Sequence, residues 1–330
     1  MYQTLFSTRP EMPFKKTSIP IQNLRKVAAV IVTCNRLDML KNSLNKTLSQ
    51  RFDYIIVINN MSNDGTKEWL ESLNDSRLHC LHEVVNHGGA GGFARGMDYA
   101  AHQTACEWIV CFDDDAWPQD TALSNFHSLN LPSNIGGVAS AVYFPNGSIC
   151  SMNRPGINPF VSFFKIFILL IKGKNRFSVD DSVYYNNNEK FIDYSSFVGF
   201  FVRSDLVRGK LGTPQSDLFI YADDTIYTWK LRCLGWNLLF VPSVKFWHDC
   251  KSTLNFTNNR WKIYYFVRNT IIFYKQISGW LFFPFFPFLL IKIIILYRKT
   301  PNIRKIIIVA IKDGLCCDTT RKHKEIMAMT

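Results

Sequence analysis

Three consecutive carboxylates, Asp113-Asp114-Asp115, follow the apolar run 108–112. Acids in succession at the end of a buried strand are costly unless something neutralises them. In an extended segment residues i and i+2 point the same way, so Asp113 and Asp115 can face one site while Asp114 faces away. Two hard oxygen donors at the mouth of a sheet suit Mg2+ or Mn2+. The plainer reading is a solvated turn with capping aspartates, and Pro118 favours a turn there. A second acidic pair stands in Phe219-Ile220-Tyr221-Ala222-Asp223-Asp224-Thr225, before a helix expected over 225–234. Such a pair can simply cap a helix. The aromatics around it predict partial burial, which raises a carboxylate pKa and suits a general base. His248, in Phe246-Trp247-His248-Asp249, follows a strand expected over 238–244. It could give a nitrogen to the same cation or be a structural histidine. Gly88-Gly89-Ala90-Gly91-Gly92 is followed by no Gly-Lys-Ser/Thr and does not follow the first strand. It is therefore neither a Walker loop nor the usual dinucleotide fingerprint. It would let backbone approach a ligand closely, or form a flexible turn before a helix.

These residues need a frame. Short apolar, β-branched runs predict strands over 27–33, 54–58, 81–85 and 108–112. Between them lie helical patterns: Leu37, Leu40, Leu44 and Leu48 on one face, then 67–73, then 93–105. Strand and helix alternate, which predicts an α/β fold with a mostly parallel sheet and helices on both faces. Ligands then sit at the carboxyl ends of the strands. The polar clusters beginning at Thr33 and at Asn59, and the aspartate triplet, all fall there. No internal repeat is visible.

The 330 residues are 47% hydrophobic and 19% charged, which excludes disorder as the dominant state and allows one large domain or two ordinary ones. Nine cysteines, at 34, 80, 106, 111, 150, 233, 250, 316 and 317, form no metal-ligand spacing and read as buried thiols of a reducing compartment. Residues 1–20 contain no apolar stretch of the secretory kind. Of the net charge of +12, residues 1–244 hold almost none, with 23 basic and 22 acidic residues, whereas 245–330 hold 15 basic and 4 acidic. A basic tail can meet nucleic acid or an anionic membrane surface. Within it the 18-residue run 280–297 is apolar except for Pro284, Pro287 and Lys292. Spanning takes about 20 apolar residues. An interfacial or re-entrant segment is expected instead, with Tyr264, Tyr265, Trp280, Arg298 and Lys299 near the headgroups. A 13-residue run, 159–171, precedes Lys172, Lys174 and Arg176 and is too short to span. Core helices are the alternative for both runs; the flanking basic residues favour a membrane. Nucleic acid is not expected, because the aromatics cluster in Phe-rich runs instead of alternating with basic residues.

Together the motifs resemble the inverting GT-A glycosyltransferases of family 2. Thr33-Cys34-Asn35-Arg36 is similar to that family's Thr-x-Asn-Arg, and Asn59-Asn60-x-Ser62-x-Asp64-Gly65-Thr66 to its Asp/Asn-Asn-x-Ser-x-Asp-Gly-Thr. Asp113-x-Asp115 and Asp223-Asp224 match its metal motif and its acidic pair. More narrowly, Asn86-x-Gly88-Gly89-x-Gly91-Gly92-Phe93-x-Arg95-Gly96, the aspartate triplet, Tyr221-Ala222-Asp223-Asp224 and Trp247-His248 resemble bacterial galactofuranosyltransferases. Tyr264-Tyr265-x-x-Arg268-Asn269 resembles a motif that these relatives carry after the histidine. Asn59 stands where many members have Asp for the uracil, and Thr257 where processive synthases have the Gln of Gln-x-x-Arg-Trp.

The resemblance implies a GT-A domain over 27–255, after an N-terminal extension 1–26 and before a helical, membrane-associating region 256–330. It implies Mn2+ or Mg2+ on Asp113, Asp115 and His248, with Asp114 toward the ribose. Asp224 would be the base and Asp223 would orient the acceptor. Thr33, Asn35, Arg36, Asn60 and Arg95 would line the nucleotide site. The implied donor is UDP-galactofuranose, and the acceptor a lipid-linked oligosaccharide of cell-surface polysaccharide (O-antigen or lipopolysaccharide) synthesis. The place would be the cytoplasmic face of a bacterial inner membrane, peripheral or monotopic. One residue, or very few, would be added. The alternatives are a rhamnosyltransferase or other family 2 enzyme, and a non-catalytic membrane-surface scaffold.

Overall fold

The seven residues Val-Ala-Ala-Val-Ile-Val-Thr form β1 (Val27–Thr33), and all are buried. A run with no polar alternation suits a strand covered on both faces. The structure is a computed structural model that describes residues 24–161, 177–250, 259–298, 300 and 302–329. Most of the expected N-terminal extension, all but the start of the apolar run 159–171, and the boundary at 255 lie outside the described residues. On one side β1 pairs in parallel with β2 (Tyr54–Asn60), beyond which lies β3 (Leu78–Glu83). On the other side it pairs in parallel with β4 (Trp108–Asp113).

Successive β1 residues serve opposite faces, as a period of two requires. Ala29 and Ile31 pack with Leu40 and Leu44 of α1 (Leu37–Leu48), Leu70 of α2 (Thr66–Glu71) and Phe126 beyond β4. Val30 and Val32 pack with Phe93 and Met97 of α3 (Gly88–Gln103). Helices thus cover both faces. The glycines 88–92 form the first turn of α3 instead of a loop before a helix starting at 93. Close approach explains Gly92, where a Cβ would lie 2.5 Å from Val32 Cγ1, whereas Gly89 has open space around it. β3 begins and ends earlier than its apolar residues suggest. Val84 and Val85, which predicted it, are 88% and 52% exposed beyond its end.

The sheet turns mixed beyond β4. Its remaining strands are β5 (Ala116–Pro118), β6 (Ile135–Tyr143), β7 (Lys190–Ile192), β8 (Phe200–Arg203) and β9 (Asn237–His248). The order is β3-β2-β1-β4-β8-β6-β9-β5, with β7 also on β9. β8 runs antiparallel between β4 and β6, whereas β6 and β9 are parallel. β9 extends past 244 to His248 because it carries a bulge. Ser140 pairs with Val241, but Ala141 pairs with Lys245. Pro242, which has no N–H for a ladder, falls in the residues that are skipped.

After α4 (Ala122–His127), α5 (Asp181–Tyr185), α6 (Ser204–Arg208) and α7 (Asp223–Cys233), the C-terminal helices are α8 (Trp261–Ser278), α9 (Phe282–Tyr297), α10 (Arg304–Cys316) and α11 (His323–Met327). They share a core that includes Ile263, Val267, Leu289, Ile293, Ile306 and Ile326. The prolines of the apolar run lie within α9. Pro284 is in its first turn, where an N–H has no helical partner anyway, and Pro287 is inside it. One face of α9 is buried, while Phe283, Phe288, Ile291, Ile294, Ile295 and Leu296 are exposed. The stretch from Trp261 to Tyr297 is the one candidate, among the described residues, long and apolar enough to cross a membrane. The cysteines are less uniformly buried than expected. Cys106, Cys111 and Cys150 are buried, but Cys316 and Cys317 at the end of α10 are exposed.

Candidate active site

Strand pairing assembles the acidic centre. Val32 stands beside Asp113 across the β1–β4 ladder, so the residues after β1 meet those after β4. Thr33 Oγ1 donates to Asp114 Oδ2 at 2.8 Å. Arg36 bridges two aspartates, with Nη1 2.8 Å from Asp114 Oδ1 and Nη2 2.7 Å from Asp115 Oδ2. Ala116 pairs with His248 across the β5–β9 ladder. That register sets His248 Nε2 3.1 Å from Asp115 Oδ1. The β5–β9 register therefore carries the histidine to the carboxylates.

The other imidazole nitrogen fixes the ring. Nδ1 lies 2.7 Å from Asn153 Oδ1. Asn153 is oriented by donating Nδ2 to Ser196 Oγ at 2.9 Å and by accepting from Cys150 Sγ at 3.0 Å. An amide oxygen only accepts, so Nδ1 carries a proton; Nε2 faces the carboxylates and would have to give up its own proton before it could bind a metal. Ligand atoms of Asp113, Asp115 and His248 all lie within 4.8 Å of one another. Two carboxylates and one imidazole fit Mn2+ or Mg2+. A second group, Cys150, His248 and Cys250, meets the same distance. No sequence spacing announced it, because Cys150 reaches His248 from 98 positions away.

Charge is dense here. Burial and the neighbouring Asp115 push Asp113 up to about 6. Burial lifts Asp114 to about 7, against the pull of Arg36 and Thr33. Burial would also raise Asp115, but contacts with His248 and Arg36 hold it below the ordinary carboxylate range. Burial opposes charge on His248, yet Asp115, Cys250 and Asp113 raise it to about 10.

Asp223 and Asp224 are the first two residues of α7. Burial and the adjacent Asp224 push Asp223 well above its ordinary value. Burial lifts Asp224 to about 6; the Thr225 N–H opposes this and Asp113 adds to it. Asp113 acts on both members, so triplet and pair lie within electrostatic reach of each other.

The remaining candidates separate. Asn35 Oδ1 accepts from Asn63 N at 2.7 Å, and Asp64 Oδ2 accepts from Leu37 N at 2.9 Å, so this motif also builds the entry to α1. Asn60 Nδ2 donates to Gly88 O at 2.9 Å, and its Oδ1 accepts from His87 N at 3.0 Å, holding the start of α3. Arg95 turns to Glu83, with Nε 3.4 Å from Oε1. Asn153 escaped the sequence reading altogether. It sits in a short 3-10 turn with no periodic signal.

The model of the family described as "Glycosyl transferase family 2" matches residues 28–147. Galactofuranosyltransferase GlfT1 of Mycolicibacterium smegmatis is 37% identical over 99 residues, which are 29% of this chain and 32% of that protein. GlfT1 of Mycobacterium tuberculosis is 38% identical over 97 residues, covering 28% and 32%. The match thus spans about a third of the length of these curated relatives. Among solved structures, mannosyltransferase PcManGT from Pyrobaculum calidifontis, in complex with GDP-Man and Mn2+, aligns over 96% of this chain and 82% of its own, with a TM-score of 0.53 and 16% identity. GalNAc-T7 with UDP, GalNAc and Mn2+ aligns over 77% and 51%, with a TM-score of 0.53 and 12% identity. Residues 28–147 thus match a family 2 glycosyltransferase model, on a fold shared with these GT-A structures.

Proposed function

We propose that the protein transfers galactofuranose from UDP-galactofuranose, with inversion, to a hydroxyl of a lipid-linked oligosaccharide. The observation that carries the chemistry is the convergence of Asp113, Asp115 and His248 with the Asp223-Asp224 pair in electrostatic reach. The sugar is supported by the 37% identity to GlfT1 over part of the chain. A divalent cation held by Asp113, Asp115 and His248 would supply Lewis-acid stabilisation of the leaving diphosphate. Arg36 holds Asp114 and Asp115 in place, and Asn153 keeps Nε2 of His248 turned inward. Asp224 accepts the proton of the acceptor hydroxyl as that oxygen bonds to the anomeric carbon. The bond from that carbon to the diphosphate breaks, UDP leaves with its electron pair, and an α-donor gives a β-linkage.

The exposed apolar face of α9 and the basic C-terminal region support residence on an anionic membrane surface, where a lipid-linked acceptor would be found. We place this at the cytoplasmic face of a bacterial inner membrane, in cell-surface polysaccharide synthesis. The test offers purified full-length protein UDP-galactofuranose, UDP-galactopyranose, dTDP-rhamnose and GDP-mannose with a defined lipid-linked acceptor and Mn2+. Transfer from UDP-galactofuranose at least about tenfold above the others is expected. Preference for another donor would overturn the sugar assignment, and no transfer from any would overturn the enzyme.

A further inference from the structure

Arg268 and Asn269 lie on α8, outside the family-matched segment 28–147, and take no part in the chemistry above. Both are fully buried. Asn269 Nδ2 faces three carbonyls: Leu218 O at 2.9 Å, Ile220 O at 2.8 Å and Tyr221 O at 2.8 Å. Its Oδ1 accepts from Arg268 Nε at 2.8 Å. Arg268 Nη2 donates to Asp217 O at 3.0 Å and Leu218 O at 3.1 Å. The guanidinium lies over the rings of Tyr264 and Tyr265, 5.3 and 5.1 Å from their centroids. Arg268 Nη2 and Asn269 Nδ2 thus both donate to one backbone segment, 217–221.

That segment leads directly into Asp223 and Asp224, and it is strained. Phe219, Tyr221 and Ala222 have φ of 65°, 68° and 59°, where side chains crowd their own backbone. The carbonyls of such a turn find no helical or sheet partner and need donors from elsewhere. α8 supplies them on one side. On the other, Ala90 N donates to Phe219 O at 3.1 Å. Gly88 permits that approach, since a Cβ there would lie 2.0 Å from the same oxygen. Strained backbone persists only where its surroundings over-determine it, and here they do so from two elements.

We propose that Arg268 and Asn269 are positioning residues: they hold 217–222 in its strained form and thereby aim Asp224 at the acceptor hydroxyl. This rests on Asp224 being the base. On this account α8 is a working part of the catalytic unit and not a detachable membrane anchor.

The test uses the full-length protein with Asn269→Ala, Asn269→Ser, Arg268→Lys and Asp224→Asn. It reads kcat, donor KM, the affinity for UDP with Mn2+, and the thermal midpoint. For Asn269→Ala, kcat is expected to fall about 100-fold, while donor KM and UDP affinity stay within about twofold. Adding Ala222→Gly should recover about tenfold of that loss, because glycine takes the left-handed conformation without steric cost. Asn269→Ser and Arg268→Lys, which keep donors, should fall between and serve as the measure if Asn269→Ala does not fold. If Asp224→Asn is inactive but the Asn269 and Arg268 variants keep wild-type kcat, the positioning role is overturned. The same holds if kcat and UDP affinity fall together, or if Ala222→Gly restores only the thermal midpoint. If Asp224→Asn itself keeps full turnover, the base assignment fails, whatever the Asn269 variants do.

Discussion

Asp224→Asn removes one proton acceptor and preserves shape. A positioned general base is worth about 10²–10⁴-fold in rate, so turnover should fall by at least about 100-fold, with donor binding kept. Asp224 is raised from 3.8 to about 6, chiefly by burial, with Asp113 adding to it. The base works ionised, so raising its pKa moves the acid limb of the rate profile upward. At pH 7 about nine-tenths of it is ionised and at pH 5 about one-tenth, so kcat should drop about tenfold between them. The same shift fixes the sign for stability. The folded state holds this proton more tightly than the unfolded one, so stability declines as pH rises through the window from 3.8 to about 6. An amide escapes that loss, which two pKa units limit to about 3 kcal/mol, so Asp224→Asn should melt no lower than wild type at pH 8. The assay is transfer of labelled sugar at saturating donor and Mn2+ from pH 5 to 8, with thermal melts alongside. More than a tenth of wild-type turnover in the variant, or a flat profile between pH 5 and 7, would refute the reasoning.

Asp115→Ala should abolish transfer, and EDTA should do so reversibly; full turnover in chelator without added cation would exclude the metal site. Gly88→Ala forces φ of 68° on a residue with a Cβ and drives that Cβ into Phe219 O. It should cost about 1–3 kcal/mol in thermal stability and reduce kcat, and unchanged kcat would detach α3 from the loop before Asp223. Full-length protein should float with anionic vesicles and keep a salt-resistant fraction, because each basic residue near the surface adds about 1 kcal/mol that salt removes while the apolar face does not depend on it. Phe283→Ser with Ile291→Ser and Ile295→Ser should lower that fraction, and equal flotation of variant and wild type would refute the role of α9. Truncation after Arg268 removes Asn269 and should therefore lose transfer as well as flotation; a truncated protein that still turns over a soluble acceptor would separate the two.

The parallel half of the fold was open to reading because burial on both faces leaves continuous apolar runs. β1 coincides with its expected range, and β2 and β4 start where expected. The antiparallel placement of β8 was not readable, since Phe-Phe-Val-Arg has no direction written in it. β3 is an edge strand of half-buried residues, and two exposed valines drew its expected position forward. In the site, the acids and His248 came from their types and from the family resemblance. Asn153 could not, because it meets His248 from 95 positions away and lies in no periodic element. Asn60 shows the opposite difficulty. A side-chain amide serves a ligand or a loop equally well, and here Gly88 and His87 occupy it.

Asn60 also begins a chain of contacts that crosses the molecule. It holds the Gly88 turn, that turn packs against Phe219, and the loop of Phe219 is held in turn by Asn269. Every link is a backbone group met by a buried amide, or a glycine too small to interfere. The first link lies at the carboxyl end of β2, on the side expected to hold the nucleotide. The last lies on α8, next to the helix that exposes its apolar face. A strained loop between two such anchors does not deform gradually, because packed contacts of this kind are kept or lost together. Displacing either anchor should therefore move Asp224 as a unit with α7, while Asp113, Asp115 and His248 stay fixed by the β1–β4 and β5–β9 ladders. That division gives the two acidic motifs different mechanical supports: strand register for the proposed metal ligands, and helix-borne amides for the proposed base.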